Sequence, residues 1–293
     1  MAVVGFIGLG VMGRSMAVNL VKAGHEVVAH DVRREAVADL AAQGAKPAAS
    51  VAEAAARADI VVTMLPDTPQ VEEVVLAAGG LAENPPPGRL LVDMSTIAPS
   101  AARRLAAAMA ERGVAMLDAP VSGGPQGAEN GTLSIMVGGE AEAVARARPV
   151  LEGMGRTIVH VGPAGAGQTV KCCNQLMVGM HIQAVCEALA LGRAAGLDLV
   201  KLREVLLGGA AASWMLQNHA PLILAKDDRA GFRIDLQLKD LRLANELAFE
   251  LGVPLPGTAQ VTSLYLGSRA HGEGDKGNQA LFRVYDRMTA QEG

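Results

Sequence analysis

A short apolar segment that runs directly into a glycine-rich turn is the feature that most constrains the fold of this chain. Residues 2–7 have the pattern of a fully buried strand, and glycine then occupies positions Gly8, Gly10 and Gly13. A helical pattern and a second apolar strand follow, and that strand ends at Asp31. This order of strand, turn, helix, strand and acid predicts a βαβ unit whose turn opens the helix.

The alternation of strands and helices continues over roughly the first 160 residues, which is typical of a doubly wound, mostly parallel sheet. After Gly167, helical patterns follow one another and strand patterns cease. Half of the 293 residues are hydrophobic, which is enough to build two cores. We therefore predict an α/β fold with a Rossmann-type domain over residues 1–163. An all-α domain follows over residues 164–293 and begins with a long linking helix at about 166–195.

The first glycine turn has the chemistry of a dinucleotide site. Gly8 permits the tight turn, Gly10 lets a pyrophosphate approach the backbone, and Gly13 lets the helix pack closely on the strand. The free N–H groups at the start of the helix attract the phosphates. A glycine-rich turn in another kind of α/β protein is the alternative.

The acid that closes the second strand bears on which dinucleotide binds. The Asp31 carboxylate can accept hydrogen bonds from the adenosine ribose and repels the 2′-phosphate of NADP, so it favours NAD. Arg33 and Arg34 follow it and would attract that phosphate instead, unless they only begin a solvated helix. We expect NAD, with NADP as the alternative cofactor.

A second glycine turn follows the strand that ends at Asp118. Ser122, Gly123 and Gly124 lie there between two prolines. Successive glycine amides form a concave nest that binds anions, and the serine hydroxyl adds a further donor. We interpret this turn as an anion site at the carboxyl edge of the sheet, where ligands bind in such folds. A flexible turn without a ligand is the alternative.

One charged residue stands alone in a long apolar stretch. From residue 157 to residue 186, Lys171 is the only Asp, Glu, Lys or Arg. A helix that is apolar on most faces is buried, and burial lowers the pKa of a lysine from about 10.4 towards a range useful in catalysis. Asn174 and Gln175 follow at i+3 and i+4 and therefore share its face of the helix. A lysine whose long side chain reaches solvent is the alternative.

Composition and charge exclude several classes of protein. The 26 Lys and Arg against 30 Asp and Glu give a net charge of −4, which argues against a nucleic-acid partner. No charge-free apolar run is long enough for a membrane span, and the N-terminus lacks the charged region of a signal peptide. We therefore expect no membrane association and a cytoplasmic location. Cys172, Cys173 and Cys186 lack metal-ligand spacing and are interpreted as reduced core thiols, so no metal is expected.

Four blocks of sequence together resemble the β-hydroxyacid dehydrogenases. This family includes 3-hydroxyisobutyrate dehydrogenase and tartronate semialdehyde reductase (2-hydroxy-3-oxopropionate reductase). The blocks are residues 5–13, residues 118–124, residues 165–174 and the pair Lys239-Asp240, and they follow in that order. The resemblance implies an NAD-dependent oxidoreductase that interconverts a short 3-hydroxy acid and its semialdehyde. It also implies a homodimer or homotetramer.

The resemblance further implies roles for individual residues, with Lys171 as the catalytic acid/base. Lys239 is then a second cation that would lower the pKa of Lys171, unless the pair Lys239-Asp240 is only a surface ion pair. The residues implied to bind the substrate are Ser122, Gly123, Gly124, Asn174, Gln175, Trp214 and Phe232. The residues implied to bind the cofactor are Gly8, Leu9, Gly10, Val11, Met12, Gly13, Asp31, Val32, Arg33, Leu65, Pro66, Gln70, Thr96, Lys239 and Asp240.

Other functions and several substrates stay open at this point. A non-enzymatic dinucleotide-binding module that recognises a partner protein is the rival, although such readers lose the catalytic lysine. Imine reductases are a third possibility, but they generally replace it as well. Residues 231–241 and Asn174-Gln175 resemble tartronate semialdehyde reductases, whereas Ser213-Trp214 resembles other branches. Tartronate semialdehyde, 3-hydroxyisobutyrate, 3-hydroxypropionate, serine and succinic semialdehyde are all compatible with these residues.

Overall fold

The computed structural model of this chain describes residues 1–88 and 90–289. It divides into two compact units, residues 1–171 and residues 172–293. Residues 290–293, with which the predicted all-α domain ends, lie outside the described part. Over the described residues, no helix has both the length and the apolar character needed to cross a membrane.

Among the described residues of the first unit, nine strands form one mixed sheet. They are β1 (Val3–Ile7), β2 (Glu26–His30), β3 (Lys46–Pro47), β4 (Ile60–Thr63), β5 (Leu90–Asp93), β6 (Ala115–Asp118), β7 (Val121–Ser122), β8 (Leu133–Gly138) and β9 (Gly155–Gly162). Their order across the sheet is β3-β2-β1-β4-β5-β6-β8-β7, and β9 pairs with β8. Pairing is parallel from β3 to β6, whereas β8 is antiparallel to β6 and β7.

The central strands are buried on both faces, as their unbroken apolar runs predict. In β1, for example, Val4 and Phe6 belong to one core cluster and Ile7 to the other. The helices of this unit are α1 (Val11–Lys22), α2 (Arg34–Ala41), α3 (Val51–Ala56), α4 (Thr68–Leu76), α5 (Pro99–Ala110), α6 (Gly124–Asn130) and α7 (Ala141–Glu152). The predicted Rossmann-type sheet is therefore confirmed, with an antiparallel addition at one edge.

The long predicted helix is α8 (Ala166–Ala194), and its beginning, as far as Lys171, lies in the first unit. The expectation of burial on most faces is wrong for one stripe, because Cys173, Met177 and His181 follow at i+4 spacing and are exposed. Within the described residues no cysteine forms a disulfide, and Cys172 and Cys186 are buried whereas Cys173 is exposed. The interpretation of Cys173 as a core thiol is therefore wrong.

Over its described residues, the second unit has helices as its named elements, as predicted, together with one isolated β-bridge between Arg233 and Gly277. After α8 the helices are α9 (Leu199–Leu207), α10 (Trp214–Asn218), α11 (Ala220–Leu224), α12 (Ile234–Leu251), α13 (Pro256–Ala270), a 3-10 helix (Asn278–Leu281) and α14 (Phe282–Met288). Ile182, Leu241, Val261 and Tyr265 are fully buried in its core. The sequence patterns missed α10 and α11, because five residues are too few to show a helical period.

Candidate active site

The loops that follow the parallel strands meet at one edge of the sheet. Because β1, β2, β4, β5 and β6 run in the same direction, the segments after them all leave from the carboxyl edge. This places the first glycine turn, Asp31, Leu65-Pro66 and Thr96 along that edge, and Gln70 lies in the first turn of α4. Leu65 N donates to Ser95 Oγ at 2.9 Å, so the loops after β4 and β5 are tied together.

The space around each glycine of the first turn explains why a side chain is excluded or permitted at that position. Gly8 has φ +99, and a Cβ there would lie 2.3 Å from Met64 O. A Cβ on Gly13 would lie 2.0 Å from Gly8 O, so α1 can approach the turn only without a side chain at this position. Gly10, in contrast, has no atom within 4 Å of where a Cβ would be. The turn is therefore tight inside and open at Gly10, and it fits a bound pyrophosphate.

Asp31 and Arg33 lie against the first glycine turn. Leu9 N donates to Asp31 Oδ2 at 2.6 Å, while Arg33 donates to Oδ1 through its backbone N at 2.8 Å and its Nε at 3.1 Å. Burial would raise the pKa of Asp31, but these hydrogen bonds hold it below its ordinary value of 3.8. The carboxylate is therefore ionised at neutral pH. The neighbouring apolar side chains Val11 and Val32 are largely exposed, 73% and 92%.

A buried carboxylate fixes the beginning of α8. Asp118 Oδ1 accepts a hydrogen bond from Gly165 N at 2.7 Å, and its Oδ2 accepts one from Gln168 N at 2.8 Å. The first N–H groups of a helix lack partners within the helix, and an anion there is also favoured by the helix dipole. Burial nevertheless raises the pKa of Asp118 above its ordinary value.

The Gln168 side chain adds a second tie. Its Nε2 donates to Ser95 O at 2.8 Å and its Oε1 accepts from Ile97 N at 3.1 Å, so the first turn of α8 is attached to the loop after β5. Sequence reasoning did not assign Asp118 or Gln168. The available signals were an acid that ends a buried strand, as Asp31 does, and a polar residue inside an apolar stretch.

Lys171 is held one turn further along α8. Its side chain is buried, and its Nζ donates to Val121 O at 2.7 Å. The alternative of a lysine that reaches solvent is therefore wrong. Val121 directly precedes the predicted anion turn, in which Gly123 and Gly124 have φ +134 and +63 and only glycine is unstrained. The structure thus places the Lys171 amine beside the chain segment that leads into this turn.

The second unit brings another group of the predicted residues together. Gln175 Nε2 donates to Asp240 Oδ2 at 2.5 Å, and Asn174 Nδ2 donates to Gln175 Oε1 at 2.7 Å. Lys239 Nζ lies 3.1 Å from Asp240 Oδ1, with the two side chains only 13% and 2% exposed, so the surface-pair alternative is wrong. Gln237 completes the group, since its Nε2 donates to Gln175 O at 2.9 Å. No sequence signal had pointed to Gln237.

The two aromatic residues lie on other segments of the second unit. Trp214 is the first residue of α10 and is 54% exposed, and its ring centroid is 5.4 Å from that of His219. Burial lowers the pKa of His219 to about 4, so this imidazole is neutral at physiological pH. Phe232 is half-buried before α12, where its carbonyl accepts a hydrogen bond from Asn278 N.

Family comparisons cover both parts of the chain. Residues 3–162 match the family described as the NAD binding domain of 6-phosphogluconate dehydrogenase. Residues 165–285 match the family described as NAD-binding of NADP-dependent 3-hydroxyisobutyrate dehydrogenase. In residues 1–88 and 90–289, no group of three or more His, Cys, Asp or Glu side chains is arranged to hold a metal ion.

Individual relatives match over almost the whole length. A 3-hydroxyisobutyrate dehydrogenase from Pseudomonas aeruginosa is 44% identical over 281 residues, which cover 92% of this chain and 94% of that protein. A 2-hydroxy-3-oxopropionate reductase from Escherichia coli is 42% identical over 286 residues, which cover 97% of each protein. The structure of a 3-hydroxyisobutyrate dehydrogenase from Mycobacterium tuberculosis, described with L-serine, has a TM-score of 0.88 at 36% identity and covers 97% of this chain and 99% of that one.

Proposed function

Because this chain belongs to the β-hydroxyacid dehydrogenase family of NAD(P)-dependent enzymes, we propose that it interconverts a short 3-hydroxy acid and its semialdehyde. The relatives from Escherichia coli and Pseudomonas aeruginosa are named for 2-hydroxy-3-oxopropionate and 3-hydroxyisobutyrate. We therefore propose a substrate of the tartronate semialdehyde/glycerate type or of the 3-hydroxyisobutyrate type. The domains that carry this function are proposed to be residues 1–163 and 164–293.

The buried amine of Lys171 is the observation that carries the proposal. We propose that this buried amine acts as the general base. The Val121 carbonyl accepts one N–H at 2.7 Å and thereby orients the amine. In the oxidative direction we propose that this amine removes the proton of the substrate hydroxyl, and in the reductive direction the ammonium returns it. The nicotinamide, when bound, supplies or accepts the hydride at the carbinol carbon.

The substrate carboxylate is assigned to the second glycine turn. Ser122 offers a hydroxyl, and Gly123 and Gly124 offer main-chain N–H groups whose left-handed backbone suits an anion nest. A carboxylate bound there lies next to the chain segment that holds the Lys171 amine. Asn174 follows Lys171 by one turn of α8, and we propose that its amide orients the substrate hydroxyl.

NAD is the proposed cofactor in preference to NADP. The first glycine turn is open at Gly10, where a pyrophosphate would approach. Asp31 is ionised and lies against that turn, so a 2′-phosphate would be repelled. The guanidinium of Arg33 is already paired with the same carboxylate at 3.1 Å, which reduces its attraction for a phosphate.

A substrate panel tests the proposal. Tartronate semialdehyde and methylmalonate semialdehyde are assayed by NADH oxidation, and glycerate, 3-hydroxyisobutyrate, 3-hydroxypropionate and L-serine by NAD⁺ reduction, each repeated with the NADP form. We expect turnover with at least one short 3-hydroxy acid or semialdehyde and a preference for NAD. Silence across the panel, with NADH still bound, would favour the rival module that recognises a partner protein.

A further inference from the structure

We infer that the Gln168 side chain fixes the position of Thr96, a proposed cofactor contact, relative to Lys171, the proposed acid/base. The inference rests on the proposed function, because Thr96 and Lys171 act on cofactor and substrate only if that function is right. It makes Gln168 a positioning residue that acts through Thr96, rather than a residue that contacts substrate or cofactor itself.

The Gln168 amide is bonded to both peptide groups that flank Thr96. Its Nε2 donates to Ser95 O at 2.8 Å, in the peptide group before Thr96, and its Oε1 accepts from Ile97 N at 3.1 Å, in the one after it. Since a main-chain carbonyl only accepts and an N–H only donates, these two groups also fix the direction of the amide. The planes of two successive peptide groups determine φ and ψ of the residue between them, so one side chain constrains the backbone of Thr96.

Burial differs between the residue that holds this segment and the residue that is held. Gln168, Ser95 and Ile97 are fully buried, at 0% exposure, whereas Thr96 is half-buried. Leaving a buried carbonyl or N–H without its hydrogen bond is costly, so both bonds to Gln168 matter for the shape of the segment. The Gln168 amide therefore has no surface to offer a ligand, and Thr96 is the exposed part of residues 95–97.

Ser95 is also held from the strands. Its N donates to Asp93 Oδ1 at 3.2 Å, and its Oγ accepts from Leu65 N at 2.9 Å. These bonds hold the start of the segment to the ends of β5 and β4 and do not involve Gln168. The Gln168 amide adds the link to α8, the helix that carries Lys171.

Gln168 and Lys171 lie one turn apart at the start of α8, at i and i+3. Asp118 Oδ2 accepts from Gln168 N at 2.8 Å, so the main chain of Gln168 is fixed to the end of β6 while its side chain is fixed to the loop after β5. The hydride and the proton are exchanged at neighbouring atoms of one substrate. The spacing between the cofactor loop and Lys171 must therefore be held, and a misplacement of about 1 Å can cost about 100-fold in rate.

Gln168→Met tests this role in single turnovers. Methionine is similarly long and unbranched, but it cannot donate to Ser95 O and its sulfur is a weak acceptor for Ile97 N. Enzyme-bound NADH is mixed with saturating tartronate semialdehyde or methylmalonate semialdehyde, whichever is turned over. We expect the rate constant of hydride transfer to fall about 10- to 100-fold. A smaller amplitude with an unchanged rate constant would show that Gln168 only stabilises the fold, and would overturn the inference.

A double-mutant cycle tests whether the effect passes through Thr96. Thr96→Ala should weaken NADH binding about three- to tenfold in fluorescence titrations, as expected for one lost hydrogen bond. In the Gln168→Met background the same change should cost about twofold or less, because Thr96 is no longer held in place. Additive effects would contradict the inference, and so would a Thr96→Ala variant that binds NADH as well as the unsubstituted protein.

Gln168→Glu provides a rescue that depends on pH. A protonated carboxyl has one O–H donor and one carbonyl acceptor and can replace both bonds of the amide, whereas a carboxylate would set an acceptor against Ser95 O. Burial and the Asp118 carboxylate next to Gln168 N raise the pKa of a carboxyl at this position, and Asp93 is the acid that contacts Ser95 N.

At about pH 5.5 we therefore expect Gln168→Glu to transfer hydride within about threefold of the unsubstituted protein at the same pH, and to fall behind it at the higher pH where the carboxyl ionises. A rate constant at that lower pH as small as that of Gln168→Met would count against the two hydrogen bonds.

Control variants and the choice of readouts separate this inference from the proposed function. Gln43→Met and Gln43→Glu repeat both changes at an exposed glutamine and should alter neither the rate constant nor NADH affinity. If the unsubstituted protein turned over no member of the substrate panel, the proposed function would fail by itself. The NADH titrations would still test the coupling between Gln168 and Thr96, because they need no substrate.

Discussion

The two units of this protein differ in whether main-chain or side-chain groups form their candidate sites. In the first unit the main chain provides most of these groups: glycines shape both turns, and the Val121 carbonyl accepts a hydrogen bond from the Lys171 amine. In the second unit, side-chain amides and a carboxylate form a chain of hydrogen bonds from Asp240 through Gln175 to Asn174. The first arrangement depends on the absence of side chains, whereas the second depends on how many donors and acceptors each side chain has.

This difference predicts different sensitivities to mutation. A main-chain site tolerates little added volume, because a single Cβ can meet backbone that has no room to move. A chain of side-chain hydrogen bonds tolerates conservative changes of shape but fails when a donor becomes an acceptor. Variants on both sides test this contrast, and so does Lys171, at which the two units meet in sequence.

Lys171→Ala should have the largest effect. It removes the proposed acid/base, so kcat should fall by about 10³-fold or more, in the upper range for general acid–base catalysis. The glycine turns are untouched, and NADH binding, measured by fluorescence titration, should persist. Lys201→Ala on α9, whose side chain is 81% exposed, is the control and should be silent. Turnover near the unsubstituted rate would contradict the proposed mechanism.

Gly13→Ala and Gly10→Ala should separate stability from cofactor binding within one turn. A Cβ at Gly13 lies 2.0 Å from Gly8 O, so this variant should lose about 2–3 kcal/mol of unfolding free energy in urea titrations. A Cβ at Gly10 meets no atom within 4 Å and φ is −66, so its stability should stay within about 0.5 kcal/mol. Its NADH affinity should nevertheless fall about tenfold or more, because the methyl group occupies the pyrophosphate side. Equal loss of stability in both variants would contradict this assignment.

The same contrast explains what the sequence could predict. Glycine turns, Asp31 and the isolated Lys171 are local signals, because each depends on residues within a few positions. Strand burial could also be predicted, since short unbroken apolar runs between turn residues are typical of strands in a sheet covered on both faces. The fold class and family followed from such signals.

The contacts that position the predicted residues could not be predicted from the sequence. Asp118 meets Gly165 at a sequence separation of 47, and Gln175 meets Asp240 at a separation of 65. No periodicity links such positions, so their pairing depends on the tertiary fold. The exposure of Cys173 was missed for a related reason, because composition around α8 did not reveal which of its faces is covered.

Asp31→Ala tests a side chain that lies against the first glycine turn, which is otherwise formed by the main chain. Removing the carboxylate ends its repulsion of a 2′-phosphate and frees the Arg33 guanidinium from its 3.1 Å ion pair. The ratio of kcat/KM for NAD to that for NADP should fall about 10- to 100-fold, which corresponds to about 1.4–2.8 kcal/mol. Asp39→Ala, on the exposed face of α2, should leave the ratio unchanged. An unchanged ratio after Asp31→Ala would mean that another residue selects the cofactor.

A similar contrast between main-chain and side-chain partners is found at two buried carboxylates on neighbouring strands. Asp93 and Asp118 are register partners on β5 and β6. Asp118 accepts from main-chain N–H groups, whereas Asp93 Oδ1 accepts from the Thr63 hydroxyl at 2.7 Å and from Ser95 N at 3.2 Å. Asp93 Oδ2 has no hydrogen-bond partner within the described part of the chain. Burial raises the pKa of Asp93 to about 6, although these hydrogen bonds oppose the shift.

Asp93→Asn should therefore remove a pH dependence of stability. With a pKa of about 6 in the folded state against 3.8 in the unfolded state, the folded protein holds the extra proton between these values. Its stability falls as pH rises from about 4 to about 6 and stays reduced above. Asn cannot ionise, so urea unfolding should show a flatter profile and a gain of about 1–2 kcal/mol at pH 7. Asp118→Asn should instead destabilise by about 1–3 kcal/mol, since an NH₂ group would face the N–H groups at the start of α8. If Asp93→Asn lowered the free energy of unfolding as much as Asp118→Asn does, the two carboxylates would contribute to stability in the same way, which contradicts this prediction.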